Sequence, residues 1–259
     1  MSWKGFTKAV SRATTSVMQS TGAIDKTVDR EFEEEERRYR SLENKVEKLH
    51  KEAKGYLDAV RAMTLAQQRI AETVNNFYED GAPLGYAGMQ YKTAVEQMDE
   101  EARTELDTNY RTTVLDPLGK FIAVFPDFNE AIKRRQKKLL DYDRLRSQAR
   151  KLVEKPSDDP GKLPRAESEA NAAREVYESL NRQLVTEIPK LVDLRVPYID
   201  PSFEALVKSQ LVFNEAAFYK LDAIKTAFPG NGGLEHGIDR QVEDVLQQMR
   251  DLTICGSGN

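Results

Sequence analysis

The sequence predicts an all-α protein, an elongated bundle of long helices. Charged residues make up 32% of its 259 residues and hydrophobic residues 39%, with only 14 glycines, a composition typical of long helices. In the first third of the chain, apolar residues recur at spacings that alternate between three and four, and Gln67 is the one strongly polar residue in the series. Such a repeat forms a supercoiling helix whose stripe packs against other helices. The stripe consists of Tyr39, Leu42, Val46, Leu49, Ala53, Tyr56, Val60, Met63, Gln67, Ile70, Val74 and Phe77.

Four helical stretches follow one another along the chain. The first covers about 25–80 and ends where glycine and proline make further helix costly. The second covers about 89–155 and the third about 165–228, and a proline- and glycine-rich break follows each of them. A short tail helix is expected over about 234–252. The sequence therefore predicts three long helices joined by short turns.

Five prolines fall inside the second and third stretches. Pro117 and Pro126 lie in the second stretch, and Pro189, Pro197 and Pro201 lie in the third. They occur within apolar sequence, without the Gly, Asn and Ser that mark loops, so we expect kinks in continuous helices. Thin, bent helices bury little core per residue, and dimerisation would compensate for this.

We expect one domain with short appendages, because neither a Gly/Ser linker nor a shift in composition divides the chain. The expected parts are an N-terminal segment at 1–24, a three-helix coiled coil at 25–229, and a C-terminal turn, short helix and tail at 230–259. A single cysteine, Cys255, excludes an internal disulfide framework, and neither a signal peptide nor a membrane-spanning apolar run is found. The sequence predicts a soluble, cytoplasmic protein.

The sequence offers no support for an enzyme. His50 and His236 are distant in sequence, no spacing of His, Cys, Asp and Glu suits zinc, and Cys255 has no evident base partner. The glycines at 81–88 lack the Lys-Ser/Thr of a phosphate-binding loop. We therefore nominate no catalytic residue, no metal site and no cofactor.

Positive charge is concentrated in the second helical stretch. The net charge of the chain is −4, but residues 120–155 carry +6, which leaves −10 elsewhere. A charge run is most often a solvated helix face, and the alternative is a site for an anionic surface. Nucleic acid is disfavoured because the whole protein is acidic. The candidate basic residues are Lys133, Arg134, Arg135, Lys137, Lys138, Arg144, Arg146, Arg150, Lys151, Lys155, Lys162 and Arg165. Arg135 also falls on the three/four stripe of its helix, so partial burial or pairing across a dimer is the alternative for this residue.

The N-terminal segment 1–24 has no acidic residue and an amphipathic pattern. It is too polar to span a bilayer but suits a helix lying at a lipid interface, so we expect it to be disordered without lipid. The alternatives are a loose tail or packing against the core. The candidate membrane-inserting residues are apolar Trp3, Phe6, Val10 and Val17 with basic Lys4, Lys8 and Arg12.

Several of these segments resemble the amphiphysin and bridging-integrator branch of the BAR family. The segment Asp25-Lys-Thr-Val-Asp29 follows the amphipathic N-terminus, and residues 137–144 read Lys-Lys-Leu-Leu-Asp-Tyr-Asp-Arg. Further similar segments occur in order at 163–167, 177–184, 187–191 and 195–203. The opening Met-Ser-Trp-Lys-Gly-Phe and the absence of an SH3 domain are similar to the small fungal amphiphysin-like proteins.

The resemblance implies a crescent-shaped antiparallel dimer of kinked three-helix coiled coils. Such a protein senses or generates membrane curvature in endocytosis and cortical actin organisation, at the plasma membrane. The basic residues listed above would bind anionic phospholipid on the concave face and near the tips. The partner chain would be a second copy or a longer amphiphysin-like chain that carries an SH3 domain. Actin regulators and small GTPases remain open as further partners.

A cytoskeletal scaffold is the rival hypothesis. A helical bundle whose basic helix binds acidic proteins or actin would explain the stripe equally well. It does not explain an acid-free, tryptophan-bearing N-terminus together with a basic stretch in an acidic chain. The two hypotheses differ in whether the N-terminal helix depends on lipid.

Overall fold

The computed structural model describes residues 3–78, 82–228 and 238–252, without the side chains of 3–5 and 238–241. Within these ranges the regular structure is entirely helical. No helix in the described part is long and apolar enough to cross a membrane. Contacts between residues divide the chain into two units, which we describe separately.

The N-terminal part consists of α1 (Trp3–Ser20), a linker at 21–29, and α2 (Arg30–Phe77). Asp29 caps α2, because its Oδ1 accepts a hydrogen bond of 3.0 Å from the Phe32 amide. The negative charges of Glu31 and Glu33 in the first turn stabilise α2, because they lie at the positive end of its helix dipole. The long first helix is therefore confirmed, although it begins about five residues later than the sequence predicts.

The second helical stretch is divided into shorter segments. These are α3 (Gly85–Gln97), α4 (Thr104–Tyr110), α5 (Asp116–Ile122) and α6 (Phe125–Glu154), with π-helical turns at Met98–Arg103 and Arg111–Leu115. Pro117 and Pro126 lie in the first turns of α5 and α6. A proline is favourable there because its missing N–H would have no helical partner. Ala123 and Val124 form a turn just before Pro126, but both keep right-handed helical backbone angles, so the break between α5 and α6 has the character of the kink predicted there.

The third stretch is one helix, α7 (Lys162–Ala223), followed by a 3₁₀ turn at Lys225–Ala227. It continues through Pro189, Pro197 and Pro201, so the predicted continuity of this helix is confirmed. The tail forms α8 (Ile238–Arg250). The glycines at 230–233, His236 and Cys255 lie outside the described residues.

The first unit comprises residues 1–62 and 103–213. Its core contains Tyr39, whose ring stacks on Phe128 at 5.8 Å and meets Phe125 edge-on at 6.0 Å. The Tyr39 hydroxyl donates to the Phe125 carbonyl at 3.1 Å. Burial raises the pKa of Tyr39, which stays a neutral donor. Further buried core residues of this unit are Phe32, Val46, Leu57, Tyr110, Val114, Leu118 and Ile188.

The second unit comprises residues 63–102 and 214–259. Its buried residues are smaller and include Ala71, Ala87, Ala94, Val95 and Met98. The Thr64 hydroxyl donates to Asp99 at 2.8 Å, and Lys220 pairs with Glu101 at 2.6 Å. Small side chains at the contacts let helices approach closely.

The predicted stripe of α2 is buried only in part. Tyr39, Leu42, Val46, Ala53 and Val60 are buried, as predicted. A straight helix drifts by about 20° per heptad, so a strict seven-residue repeat gradually leaves the core. Beyond Val46 the burial follows a spacing of eleven residues. Leu57, Thr64 and Ala71 are buried, and each lies eleven residues after a buried stripe residue, namely Val46, Ala53 and Val60. The stripe residues left exposed are Leu49, Met63, Ile70 and Phe77.

Candidate functional site

The basic residues of α6 lie mainly on one exposed face of that helix. Lys133, Lys137, Arg144 and Lys151 follow one another at spacings of four and seven, which place them in one row, and Lys155 directly follows the helix. Of these, only Arg144 is half-buried. Arg134, Arg150, Lys162 and Arg165 are exposed as well, and Lys138 and Arg146 are half-buried. The face that α6 turns outward is therefore predominantly cationic.

Arg135 does not belong to this exposed face. It is 3% exposed, and its guanidinium carbon lies 3.6 Å from the centre of the Phe32 ring. It donates to Asn181 at 2.7 Å and to the Tyr177 hydroxyl at 3.1 Å. Burial lowers the pKa of Arg135, partly offset by Asp29 at 3.6 Å. The expectation that Arg135 contacts lipid is wrong, because its side chain joins α2, α6 and α7 inside the first unit.

Arg146 and Arg150 bind the linker between α1 and α2. Arg146 donates to the Asp25 carbonyl at 2.8 Å and to the Thr27 hydroxyl at 3.0 Å. Arg150 pairs with the Asp25 carboxylate at 2.7 Å, while more than half of its side chain stays exposed. These two arginines therefore hold the linker against α6 as well as adding positive charge.

Asp143 is the buried centre of the same contact. It is completely buried and accepts hydrogen bonds from the Thr27 hydroxyl at 2.5 Å, the Thr27 amide at 3.2 Å and Gln19 at 2.8 Å. Arg146 lies 3.3 Å from it. A buried carboxylate needs such partners to offset its lost hydration. Its position fixes where α1 ends and α2 begins.

The loop between α6 and α7 carries the last candidate cations. Arg165 donates to the Gly161 carbonyl at 2.9 Å and pairs with Asp159 at 2.5 Å. Lys155 and Lys162 are exposed on either side of this loop. Because exposed ion pairs of this kind contribute little, the Arg165–Asp159 pair does not prevent Arg165 from binding an anion.

Helix α1 packs against α6 through its polar face. Ser11, Arg12, Thr15 and Gln19 are its least exposed described residues, with Thr15 only 2% exposed. Arg12 makes two hydrogen bonds to Asp141, at 2.9 and 2.7 Å. These bonds raise the pKa of Arg12. The expectation of a disordered N-terminus therefore differs from the structure, in which hydrogen bonds to α6 support the helix.

The apolar residues of α1 point away from the protein. Phe6, Val10 and Val17 are each half or more exposed. Lys8 is exposed and lines a small cavity with Lys138 and Arg144. The side chains of Trp3 and Lys4 lie outside the described residues. Packing in this orientation leaves the amphipathic helix with an uncovered apolar face.

A second group of cations was missed by the sequence analysis. A groove of about 500 Å³ in the first unit is lined by residues of α2 and of the segment 111–123. Asp107 lies beside the groove and pairs with Arg61 and Arg111. Partial burial of Asp107 raises its pKa, but the hydrogen bonds from the two arginines outweigh this effect and lower the pKa overall. The cations of the groove are Lys54, Arg61, Arg111 and Lys120, and its lining also includes His50, Asp58 and Asp116. The cations are scattered along the sequence, so no local run of charge marks them.

The second unit exposes large apolar side chains instead of clustered cations. Phe77 is 80% exposed, and other exposed large apolar side chains of this unit come from α2, α3 and α7. They are Met63, Leu65, Ile70, Tyr86, Met89, Phe218 and Tyr219, which with Phe77 we call the second-unit apolar residues. In the part of the chain that the structure describes, no group of three His, Cys, Asp or Glu residues could hold a metal ion. The surfaces described above are cationic on α6 and apolar in the second unit.

The family model for the BAR domain matches residues 6–228. The chain belongs to the BAR-domain family. It is 53% identical over 262 residues to protein hob3 of Schizosaccharomyces pombe, which covers 100% of this chain and 99% of the relative. It is 44% identical over 265 residues to the regulator of cytoskeleton and endocytosis RVS161 of Candida albicans, covering 100% of both chains.

A solved structure supports the same fold. The amphiphysin BAR domain from Drosophila aligns with a TM-score of 0.62 at 23% identity, covering 85% of this chain and 96% of that chain. The predicted all-α, BAR-type helical bundle is confirmed. BAR domains dimerise and bind membranes, so a second chain and a bilayer are the ligands to fit to the surfaces described above.

Proposed function

We propose that this protein binds anionic bilayers through the exposed basic residues of the first unit and senses or generates membrane curvature as a dimer. The observation that carries the proposal is the combination of a cationic α6 face with an α1 helix whose apolar residues point outward. Its setting would be endocytosis and cortical actin organisation, at the plasma membrane. The Candida relative, named as a regulator of cytoskeleton and endocytosis, supports that setting.

Electrostatic attraction supplies the adhesion in this proposal. Each lysine or arginine near an anionic membrane contributes about 1 kcal/mol, and salt weakens the contribution. The candidate cations that face solvent are Lys133, Arg134, Lys137, Arg150, Lys151 and Lys155, with Lys162 and Arg165 on the other side of the loop. Several such contacts in one dimer act together and make weak single contacts effective.

In this proposal the apolar residues of α1 insert into the membrane. Phe6, Val10 and Val17, with Trp3 at the start of the helix, would enter the boundary between headgroups and acyl chains. Insertion into one leaflet expands that leaflet and favours curvature. In this division of the chain, residues 1–24 insert, residues 25–229 form the dimerising coiled coil, and residues 230–259 are the C-terminal turn, short helix and tail.

The dimer would form through the second-unit apolar residues. Large exposed aromatic residues such as Phe77 and Phe218 are typical of a protein interface, and Phe203 of α7 in the first unit is exposed as well. The partner is a second copy or a longer amphiphysin-like chain with an SH3 domain. Sedimentation of the purified chain alone distinguishes the two, because a self-sufficient homodimer needs no added chain.

The proposal is tested by co-sedimentation with anionic and neutral liposomes, with electron microscopy of the same samples. We expect binding that requires anionic lipid, weakens with salt and produces tubules. A folded, dimeric protein that remains in the supernatant at every anionic content would contradict the proposal.

A scaffold that binds acidic proteins is the second candidate, and two observations favour it. Helix α1 makes two hydrogen bonds to α6, and Lys54 and Lys120 in the groove could accept an acidic segment. Against it, α1 packs through its polar face, whereas a helix that only completes the bundle would bury its apolar face. A scaffold would co-sediment with acidic protein partners or with actin filaments in the absence of liposomes, and it would leave liposomes unbent.

A further inference from the structure

The contact between α1 and α6 reverses the usual arrangement of an amphipathic helix in a soluble protein. Ser11, Arg12, Thr15 and Gln19 are spaced so that they share one side of α1, and this side faces α6. Phe6, Val10 and Val17 occupy the other side and face solvent. Hydrophobic burial does not hold these residues on the protein, so specific polar contacts must position the helix.

Two carboxylates of α6 make those polar contacts. Asp141 accepts both hydrogen bonds from Arg12, a two-point contact that fixes direction as well as distance. Asp143 accepts the bond from Gln19, seven residues further along α1. Two anchors that far apart on one helix restrict its rotation about its own axis.

We propose that Asp141 and Asp143 hold α1 by its polar face and thereby aim its apolar stripe at the lipid surface that the α6 cations attract. This inference rests on the proposed function and adds positioning residues to it. Asp141 lies four residues after Lys137 and three before Arg144, so the three share a face of α6. Because Arg12 reaches α6 on that face, the outer side of α1 points away from the protein in the same direction as those cations.

Two consequences follow for membrane binding. A helix already folded and oriented loses less conformational entropy on insertion than a disordered segment does. The ion pair with Arg12 also neutralises Asp141, a carboxylate that would otherwise repel anionic headgroups from the middle of the basic face. The anchors therefore act on the rate and orientation of insertion.

The first test measures docking of α1 without lipid, in the full-length protein. We expect Asp141→Asn to speed hydrogen exchange of the α1 amides by at least about tenfold and to lower the fluorescence anisotropy of Trp3, the only tryptophan. Glu130→Gln is the matched control, because Glu130 is an exposed acid on the same helix that pairs with Lys133 instead of α1. The exchanged pair Arg12→Asp with Asp141→Arg should restore protection.

The second test uses anionic vesicles and separates anchoring from charge. Asp141→Asn and Glu130→Gln each remove one negative charge from α6, so charge alone would make both bind more tightly. Insertion of α1 into the vesicle is followed by the blue shift of Trp3 fluorescence. If Asp141 anchors α1, Asp141→Asn should slow this shift several-fold, and Glu130→Gln should leave its rate unchanged.

The outcomes separate this inference from the proposed function. Wild-type α1 amides that exchange as fast as those of an unstructured peptide would overturn the inference. So would identical behaviour of Asp141→Asn and Glu130→Gln in both assays, even if the wild-type protein bound and bent liposomes. If α1 is docked but the protein does not bind anionic vesicles, the proposed function is overturned. The inference that α1 directs its apolar residues toward lipid is then overturned as well.

Discussion

In the first unit the outward face of α6 is dominated by lysines and arginines, whereas in the second unit the exposed side chains include Phe77, Phe218 and Tyr219. The first unit also completes its own core, with Tyr39, Phe125 and Phe128 packed together. The second unit buries mainly small residues and leaves its large ones exposed. Under the proposed function, the first unit presents charge to a lipid surface and the second presents apolar side chains to a second chain, although the first unit also exposes Phe203 and Leu211 of α7. Four changes test this division, in order of expected effect.

The largest effect is expected from reversing the cations of α6. Lys133, Arg134, Lys137 and Lys138 changed together to Glu should weaken binding to anionic liposomes by at least about 4 kcal/mol, at roughly 1 kcal/mol for each charge. Helicity and dimerisation should be unchanged, because these side chains are exposed or half-buried. Co-sedimentation measures the loss, and exchanging lysine and arginine at the four positions is the charge-preserving control. Retained binding of the Glu variant would contradict the role given to the first unit.

Arg135 and its neighbour Arg134 form a matched pair for separating stability from binding. Arg135→Ala should lower the free energy of unfolding by about 3 kcal/mol, because it leaves Asp29 and Asn181 without their buried partner. Arg134→Ala should change stability by less than about 0.5 kcal/mol, since Arg134 is exposed. Urea unfolding at fixed protein concentration measures both. Equal stability of the two variants would show that the buried cluster is not important for folding.

Phe77→Asp tests the apolar side of the comparison. An exposed aromatic residue at an interface contributes about 2 kcal/mol, so the dimer dissociation constant should rise roughly 30-fold. Sedimentation velocity across a concentration series measures it. Phe6→Asp is the matched control, because Phe6 is an exposed aromatic residue of the first unit. A Phe77→Asp variant that dimerises like the wild type would place the interface elsewhere.

The smallest effect is expected from the inserting helix. Phe6→Asp should weaken binding to anionic liposomes by about 1.5 kcal/mol, since it removes one apolar side chain from the lipid boundary. Electron microscopy should show fewer tubules, while the unfolding transition in urea stays where it was. Normal tubulation by this variant would mean that the stripe of α1 does not insert.

The sequence predicts the helices well because their evidence is local. The three/four spacing from Tyr39 to Val60 and the breaks near 81–88 and 156–164 each follow from neighbouring residues. The exposure of Met63, Ile70 and Phe77 could not be predicted in the same way. Which apolar positions a long helix buries depends on accumulated drift and on the partners at each level.

The candidate site was predicted less completely, for a related reason. A run of cations marks Lys133 to Lys138, and the three/four stripe that passes through Arg135 already hints at burial, but only the packing of three helices shows what surrounds this side chain. The docking of α1 depends on Asp141 and Asp143, more than 120 residues away in sequence. The scattered cations of the groove around Lys54 require the same long-range information.

The division of labour between the units is tested most directly by comparing wild type and Phe77→Asp on small and large anionic vesicles of equal total lipid area. Charge on the first unit predicts that both proteins bind anionic lipid, and dimerisation through the second unit predicts that only the wild type favours the small vesicles. A folded, dimeric wild-type protein that binds neither size, or a monomeric variant with the same preference, would contradict the account.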